Sequence, residues 1–405
     1  MLRGTNLEHA RVHNLRTVLE TVRLHGPLAR SDVARRSGLT PQTVSNLVTE
    51  LIKQGLVRES GQRQGARGRS PTLLSVEPSG ALSIGLDLDR GHLTGLLVDL
   101  AGNVRARTYL ERDLPSPEEA LDLVVKVVEE LSTGVHERRL WGIGIGFPGP
   151  LVIADGVVDN VINPEGFPGW ENVSVRAKLS SRLSAPVFLE NNATAAALGE
   201  SYFGVGSELS CYFYCFLGVG LGGAIIAGGR AYRGWQGNAG ELGYVPTDQK
   251  GDAEHLGRRF DLFRLYEHLA DNGIAASTYA DLAELALEGE PLLEHWLDEA
   301  ADGLAPALVG AEYLLDPEAI VFGGAWESPL VAALQSRLET RLSRLRSPLM
   351  PSTARLLTAE LGADAVARGV ATLPLQALLA PFPTSSDERS YPRSHPYEHP
   401  LVAVR

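Results

Sequence analysis

Sulfur and aromatic side chains are scarce in this chain of 405 residues: two cysteines, two methionines, and aromatics at 6%. Two thiols exclude a disulfide framework or a four-thiolate metal site, and the setting of Cys211 and Cys215 in CYFYCFLGVG reads as a buried strand with two core thiols. No run of 18 apolar residues is present, and no basic and apolar leader precedes a cleavage site, so the expected location is the cytoplasm, with no membrane partner. Acidic residues are few only at the front. Residues 1–75 hold 12 Lys and Arg against 5 Asp and Glu, a balance of +7, whereas the rest of the chain carries −19 of a net −12. A basic head on an acidic body predicts that the head alone meets a polyanion. Apolar content of 44%, charged content of 21% and the length together predict a soluble chain of two or three domains.

Within the head, Leu15, Val18, Leu19 and Val22 fall at i, i+3, i+4 and i+7, which predicts an amphipathic helix ended by HGP. ARSDVARRSGLTPQTVSNLVTELIKQG then suggests Ser31 as an N-cap, a short helix to Ser37, a turn at Gly38, and a further helix capped by Thr40 with Pro41 in its first position. Val44, Leu47, Val48 and Leu51 form the apolar face of that helix and leave Gln42, Thr43, Ser45 and Asn46 outward in its first turns. This is the layout of helix-turn-helix recognition, in which short polar side chains reach base edges of double-stranded DNA. LVRES and TLLSV bracket GQRQGARGRSP as a strand, loop and strand, a wing whose Arg63, Arg67 and Arg69 suit phosphate contact or a narrow minor groove. The competing reading is a small three-helix interaction module with a solvated basic linker.

EPSG at 77–80 marks a boundary, after which ALSIGLDLDRGHLTGLLVDLAGNV alternates like a hairpin with its tip at DRGH. A similar unit recurs in CYFYCFLGVGLGGAIIAGGRAY at 211–232, and helical stretches at 116–132 and 328–345 follow the two units, so the body reads as a duplicated α/β lobe with a cleft.

On these residues the chain resembles the ROK family of repressors and sugar kinases, within the actin and hexokinase-like superfamily. The matching stretches are GLTPQTVSNLVTELIKQGLV and GRSP in the head, then GIGIGFPGPLV, NPEGFPGW, ENNATAAALGE, LGVGLGGAIIAGGRAYRGWQGNAGELGY, AIVFGGA and GADAVARGVA. The resemblance spans roughly residues 10 to 375 and implies an α/β fold: a winged helix-turn-helix over 1–76, a two-lobed ROK-like effector domain over 77–380, and a Pro-rich tail at 381–405 that reads as disordered.

The resemblance also says where this chain departs from a kinase. The family's first phosphate hairpin, Asp-x-Gly-Gly-Thr, appears as Asp87, Leu88, Asp89, Arg90, Gly91, so the hydroxyl is gone and a second acid is added that would repel ATP. The second, Gly-Thr-Gly-x-Gly, appears as Gly218, Val219, Gly220, Leu221, Gly222, whose glycines also suit a tight hairpin. Asn192 stands at the family's catalytic Asp, and a neutral amide cannot take a proton from an attacking hydroxyl. Asn192 also fits a helix cap. The family's zinc string is lost: Tyr244 replaces its His, and Glu254, Leu256 and Asp261 stand where thiolates would, with His255 read as a surface residue. Asn191 and Glu241 survive as the side chains that the resemblance assigns to sugar hydroxyls, with Tyr244 and Phe263 as rings in place of polar contacts. Trp170 suits either a cleft wall or packing.

These observations together lead to a non-enzymatic, sugar- or polyol-responsive transcriptional regulator, read as a repressor of carbohydrate uptake or catabolism genes and needing neither cofactor nor metal. Gln42, Thr43, Ser45, Asn46, Arg67 and Arg69 are the DNA candidates, and Asn191, Asn192, Glu241 and Tyr244 the effector candidates. Palindromic operators favour a homodimer or a dimer of dimers. The alternative is an active sugar kinase with a regulatory head, using Asp89 or Glu241 as its base.

Overall fold

The computed structural model describes residues 7–62, 70–111, 116–154, 157–161, 169–170, 173–247, 255–350 and 353–379. The head holds helices α1 (Leu7–His25), α2 (Arg30–Ser37) and α3 (Pro41–Lys53), and strands β1 (Leu28–Ala29), β2 (Val57–Gln62) and β3 (Thr72–Val76) in the order β1-β3-β2. Leu15, Val18, Leu19 and Val22 of α1 and Val44, Leu47, Val48 and Leu51 of α3 are all buried, as their spacing requires. Thr40 caps α3, accepting the Thr43 N–H at 3.2 Å, and Pro41 follows it. Gly38 ends α2 in the left-handed region at φ 70°.

Ser31 is not an N-cap. Ala29 holds that position without a side-chain bond, because β1 pairs antiparallel with β3 and keeps Leu28 and Ala29 extended up to the first helical residue, Arg30. A two-residue strand has too little periodicity to be seen in sequence. The wing strands pair antiparallel, with a bulge between Glu59 and Gly61. Arg63, Arg67 and Arg69 lie outside the described residues.

Two five-stranded sheets follow. The first contains β4 (Leu82–Leu88), β5 (His92–Asp99), β6 (Val104–Glu111), β7 (Leu140–Phe147) and β10 (Val187–Asn191), in the order β10-β7-β4-β5-β6; β8 (Leu151–Ala154) and β9 (Val157–Val161) pair separately. The second contains β11 (Cys211–Leu217), β12 (Leu221–Ala227), β13 (Arg230–Ala231), β14 (Ala319–Gly324) and β15 (Arg355–Thr358), in the order β13-β12-β11-β14-β15. In each sheet a hairpin, β4–β5 or β11–β12, pairs its first strand in parallel with a strand that comes much later, β7 or β14. The same connectivity twice is the duplication that the recurrent hairpin pattern suggested. The further α-helices of the described residues are α4 (Pro117–Leu131), α5 (Val175–Ser180), α6 (Asn192–Phe203), α7 (Leu256–Arg259), α8 (Leu262–Asp271), α9 (Tyr279–Glu288), α10 (Pro291–Leu315), α11 (Ser328–Leu345) and α12 (Ala365–Leu379).

By internal contacts the chain forms two compact units, Met1–Gly146 with Val152–Leu189 and Val370–Arg405, and Phe147–Leu151 with Glu190–Gly369. In the first, the apolar core of the head continues through Ala81, Leu100, Trp141 and Leu375, while Arg139 donates to Gly80 O at 2.7 Å and its guanidinium lies against Gly55, the turn after α3. Helix α3 is therefore tied to the sheet behind it by packing as well as by the chain. Trp170 is buried in this unit, a packing residue. In the second, Phe260, Trp296 and Trp326 pack ring against ring, with centroids 5.8 to 6.2 Å apart, and the Trp326 indole N–H donates to Gly218 O at 2.9 Å, which fixes the tip of the β11–β12 hairpin. Cys215 is buried on β11, with its thiol pushed far up by burial, and Cys211 half-buried on the same strand, as core thiols should be.

Candidate nucleic-acid interface and effector site

Because the apolar stripe of α3 faces the head core, its opposite face is left to polar side chains. Gln42 and Asn46 are exposed one turn apart, and the Gln42 amide donates to Asn46 Oδ1 at 3.2 Å, so the two lie side by side. Thr43 is drawn inward: its hydroxyl pairs with that of Thr40 at 2.8 Å. Ser45 is half-buried on the flank of the helix. The structure thus brings Gln42 and Asn46 together as an exposed amide pair, the side-chain type that reads adenine bidentately, and spends the Thr43 hydroxyl on the cap. Exposed Arg35 and Arg36 end α2, and Arg35 pairs with Asp32 at 2.6 Å.

The second site grows from the end of β10. Asn191 is its last residue and also the N-cap of α6, with Oδ1 accepting from Ala193 N at 2.8 Å and Thr194 N at 3.2 Å. The cap is therefore Asn191 and not Asn192, because the strand runs one residue further than the helix pattern suggested. Asn192, buried in the first helical position, turns its Oδ1 to the Ala193 N–H at 2.8 Å. Both amide oxygens accept from N–H groups of the first turn of α6, the Ala193 N–H being shared between them. The Asn191 NH2 donates to Glu241 Oε1 at 3.2 Å. Burial pushes the Glu241 carboxyl up to about 7.

Glu241 comes from the loop after β13, which Asn238 anchors: its amide accepts from Leu151 N at 2.9 Å and donates to Leu151 O at 3.1 Å. Gly149 lies against the resulting pair. A Cβ there would stand 2.2 Å from Asn191 Nδ2 and 2.5 Å from Glu241 Oε1, so only glycine admits the Asn191–Glu241 bond beside this backbone. Sequence reasoning missed Gly149 and Asn238. The signal was present in GWQGNAG, where Gly234, Gly237 and Gly240 all adopt positive φ and mark a loop of unusual course directly before Glu241.

Tyr244 ends the 3-10 turn Leu242–Tyr244, and its ring, half exposed, stands 5.8 Å from His255, whose Nδ1 donates to Tyr244 O at 3.1 Å. His255 is thus bonded to the main chain of Tyr244. Phe263 is exposed in the first turn of α8, and Asp261 caps that helix. Asn191, Asn192 and Glu241 form one cluster; Tyr244 and Phe263 belong to neighbouring segments. Among the described residues, no group of three or more His, Cys, Asp or Glu is placed to hold a metal ion, and no helix is long and apolar enough to cross a membrane.

The tip of the β4–β5 hairpin differs from a bare acidic pair. His92 Nε2 stands 3.3 Å from Asp87 Oδ2, and the ring stacks on Tyr109 at 5.9 Å. Burial opposes charge on His92, but the bond to Asp87 and the charges of Asp87 and Asp89 outweigh it and lift the imidazole to about 9. Burial, then Asp87, raises Asp89. An imidazole thus pairs with Asp87 at this hairpin, a partner that sequence reasoning passed over: it placed His92 within the tip DRGH, whereas His92 is the first residue of β5.

With that geometry established, the comparisons with known proteins are decisive for the family. Residues 83–377 match the ROK family, and residues 16–68 match the MarR family. This chain belongs to the ROK family. The xylose repressor of Bacillus subtilis is 27% identical over 373 residues, covering 90% of this chain and 96% of its own. A ROK family transcriptional regulator, a homologue of the E. coli MLC protein, shares the fold over 91% of this chain and 96% of its own, at TM-score 0.75 and 22% identity. A ROK family glucokinase from Streptomyces griseus, solved with glucose and AMPPNP, matches 73% of this chain and 100% of its own at TM-score 0.63 and 25% identity. The repressor and the regulator extend over the head. The kinase matches less of the chain; in this chain the MarR-type match at 16–68 precedes the ROK match at 83–377.

Proposed function

We propose that this ROK chain, a DNA-binding regulator, represses carbohydrate uptake or catabolism genes and is released by a neutral sugar or polyol, without phosphorylating it. Residues 1–76 serve as the DNA-binding domain and 77–380 as the effector domain. Gln42 and Asn46 carry base readout with Ser45 and Thr43 beside them, and Arg67 and Arg69 hold the phosphates from the wing. Asn191, Asn192 and Glu241 bind ligand hydroxyls, and Tyr244 offers a ring face. The observation that carries the reading is Asn192: an amide where a kinase of this family needs a carboxylate, with its oxygen already engaged by the Ala193 N–H. Palindromic operators call for two heads, so the working unit is a homodimer or a dimer of dimers.

The test is fluorescence anisotropy of the full-length protein on its own promoter region, with D-xylose, D-glucose, N-acetylglucosamine and inositol added in turn. Salt-dependent binding that one sugar releases supports the reading; no binding to that DNA at low salt refutes it. One observation favours the kinase alternative: a Glu241 carboxyl near 7 has the proton affinity of a general base. A coupled assay for ATP turnover with the same sugars decides it, since turnover abolished by Glu241→Gln would replace the repressor by an enzyme.

A further inference from the structure

One buried carboxylate beside Asn191 has no part in the contacts proposed for ligand or DNA. Glu190 is the residue before Asn191 on β10 and is 2% exposed. One of its oxygens accepts the Asn191 N–H at 3.1 Å, and the other is bound by the Arg233 guanidinium. A carboxylate this deep requires such a partner. Arg233 opens the loop that carries Asn238 and Glu241, and its carbonyl accepts Ala239 N at 3.1 Å, closing the turn. Tyr232 and Trp235 are 56% and 80% exposed, and Gly234, Gly237 and Gly240 bring conformational freedom to the loop.

We propose that the Arg233–Glu190 pair positions the effector site, pinning the base of the 233–241 loop to the strand end that supplies Asn191 and so setting Glu241 at hydrogen-bonding distance from it. Both are positioning residues: they act on the ligand through Asn191 and Glu241. Asn238 makes the second attachment of the same loop, to Leu151. Removing Arg233 leaves Glu190 as a buried carboxylate without this cation, and removing Glu190 frees a guanidinium that is only half-buried; either change takes away this tie between the loop and β10. The inference rests on the effector reading for its consequence but not for its geometry, which is tested without ligand.

Hydrogen exchange followed by mass spectrometry is the primary measurement, on the full-length, sugar-free protein and its Arg233→Met, Glu190→Gln and Arg233→Lys variants. Peptides covering 233–241 and 148–152 should exchange about tenfold faster in the first two, with α10 and α11 unchanged, and Lys should restore part of the protection because it keeps charge but loses the fork. Calorimetric titration with D-xylose should then show affinity lowered about tenfold or more, while operator affinity in sugar-free buffer stays within about twofold. Unchanged exchange at 233–241 in both charge-removing variants overturns the proposal, as does acceleration spread evenly over residues 190–369, which would make the pair a general structural support. If wild type binds no D-xylose, that reading loses its sugar and the exchange data still decide the role of the pair. If Arg233→Met and Glu190→Gln fail to fold, Arg233→Lys alone decides: faster exchange confined to 233–241 and 148–152 supports the proposal, and wild-type exchange there overturns it.

Discussion

Replacing Gly149 by Ala tests the effector site with a single methyl group. Gly149 is not among the glycines held at positive φ, so the crowding of the added Cβ is what the substitution tests. Its Cβ would approach Asn191 Nδ2 to 2.2 Å and Glu241 Oε1 to 2.5 Å, about an ångström inside ordinary contact. Asn191 cannot yield easily, because its Oδ1 is held by two helix N–H groups, so the Glu241 carboxyl must move and the Asn191–Glu241 bond is lost. That bond contributes about 0.5–1.5 kcal/mol with the carboxyl neutral and about 1.5–3 kcal/mol with it ionised, which corresponds to about two- to a hundredfold in sugar affinity if both groups contact the ligand. The folded state should lose about 1–2 kcal/mol, a Tm shift of roughly 2–8 °C. Calorimetric titration gives the first quantity and thermal unfolding the second, while anisotropy should find operator affinity unchanged in sugar-free buffer. A Gly149→Ala protein that binds sugar and releases DNA at wild-type concentrations would refute the assignment of this cluster as the effector site.

Gln42→Ala or Asn46→Ala should each cost about 1–3 kcal/mol at the specific operator and relax sequence preference at one base pair, as competition with point-substituted operators will show. Arg69→Ala should weaken binding to all sequences alike and lower the slope of log affinity against log salt by about one; a loss confined to the specific site would mean that the wing reads bases. Glu241 carries a pH signature of definite sign. Its carboxyl lies at about 7 in the fold against an ordinary 4.5, so the native state holds the extra proton between those values. The stability contributed below pH 4.5 is then lost as pH rises through 7, by about 1–3 kcal/mol after solvent screening, and Glu241→Gln should flatten that part of the profile of denaturant midpoint against pH. Trp141→Ala, in the packing that joins the head to the sheet behind it, should destabilise by about 3–5 kcal/mol and lower operator affinity although it lies far from DNA-reading side chains. Wild-type operator affinity in that variant would disconnect the head from its support.

Local chemistry is what a single sequence carries well. The apolar stripes of α1 and α3, the Thr40–Pro41 start and the two hairpins with their glycine tips were all legible, because each depends on residues within one or two turns of one another. Substitutions at motif positions were legible too: an amide at 192 and a tyrosine at 244 are chemical facts before any fold is known. What sequence reasoning assigned wrongly or passed over depends on partners far along the chain. Ser31 lost the cap to Ala29 because β1 pairs with β3, more than 40 residues away. Asn191, not Asn192, caps α6 because β10 runs through it. Gly149, Asn238 and the Glu190–Arg233 pair acquire meaning only when residues 147–151, 190–192 and 233–241 converge, and His92 only when β5 folds back on β4. Legible without the fold were the class of molecule, a winged helix ahead of a ROK domain, and the amide at 192. Tertiary structure alone decided which polar groups face each other, since hydrogen bonds and desolvation depend on distances that spacing along the chain does not encode.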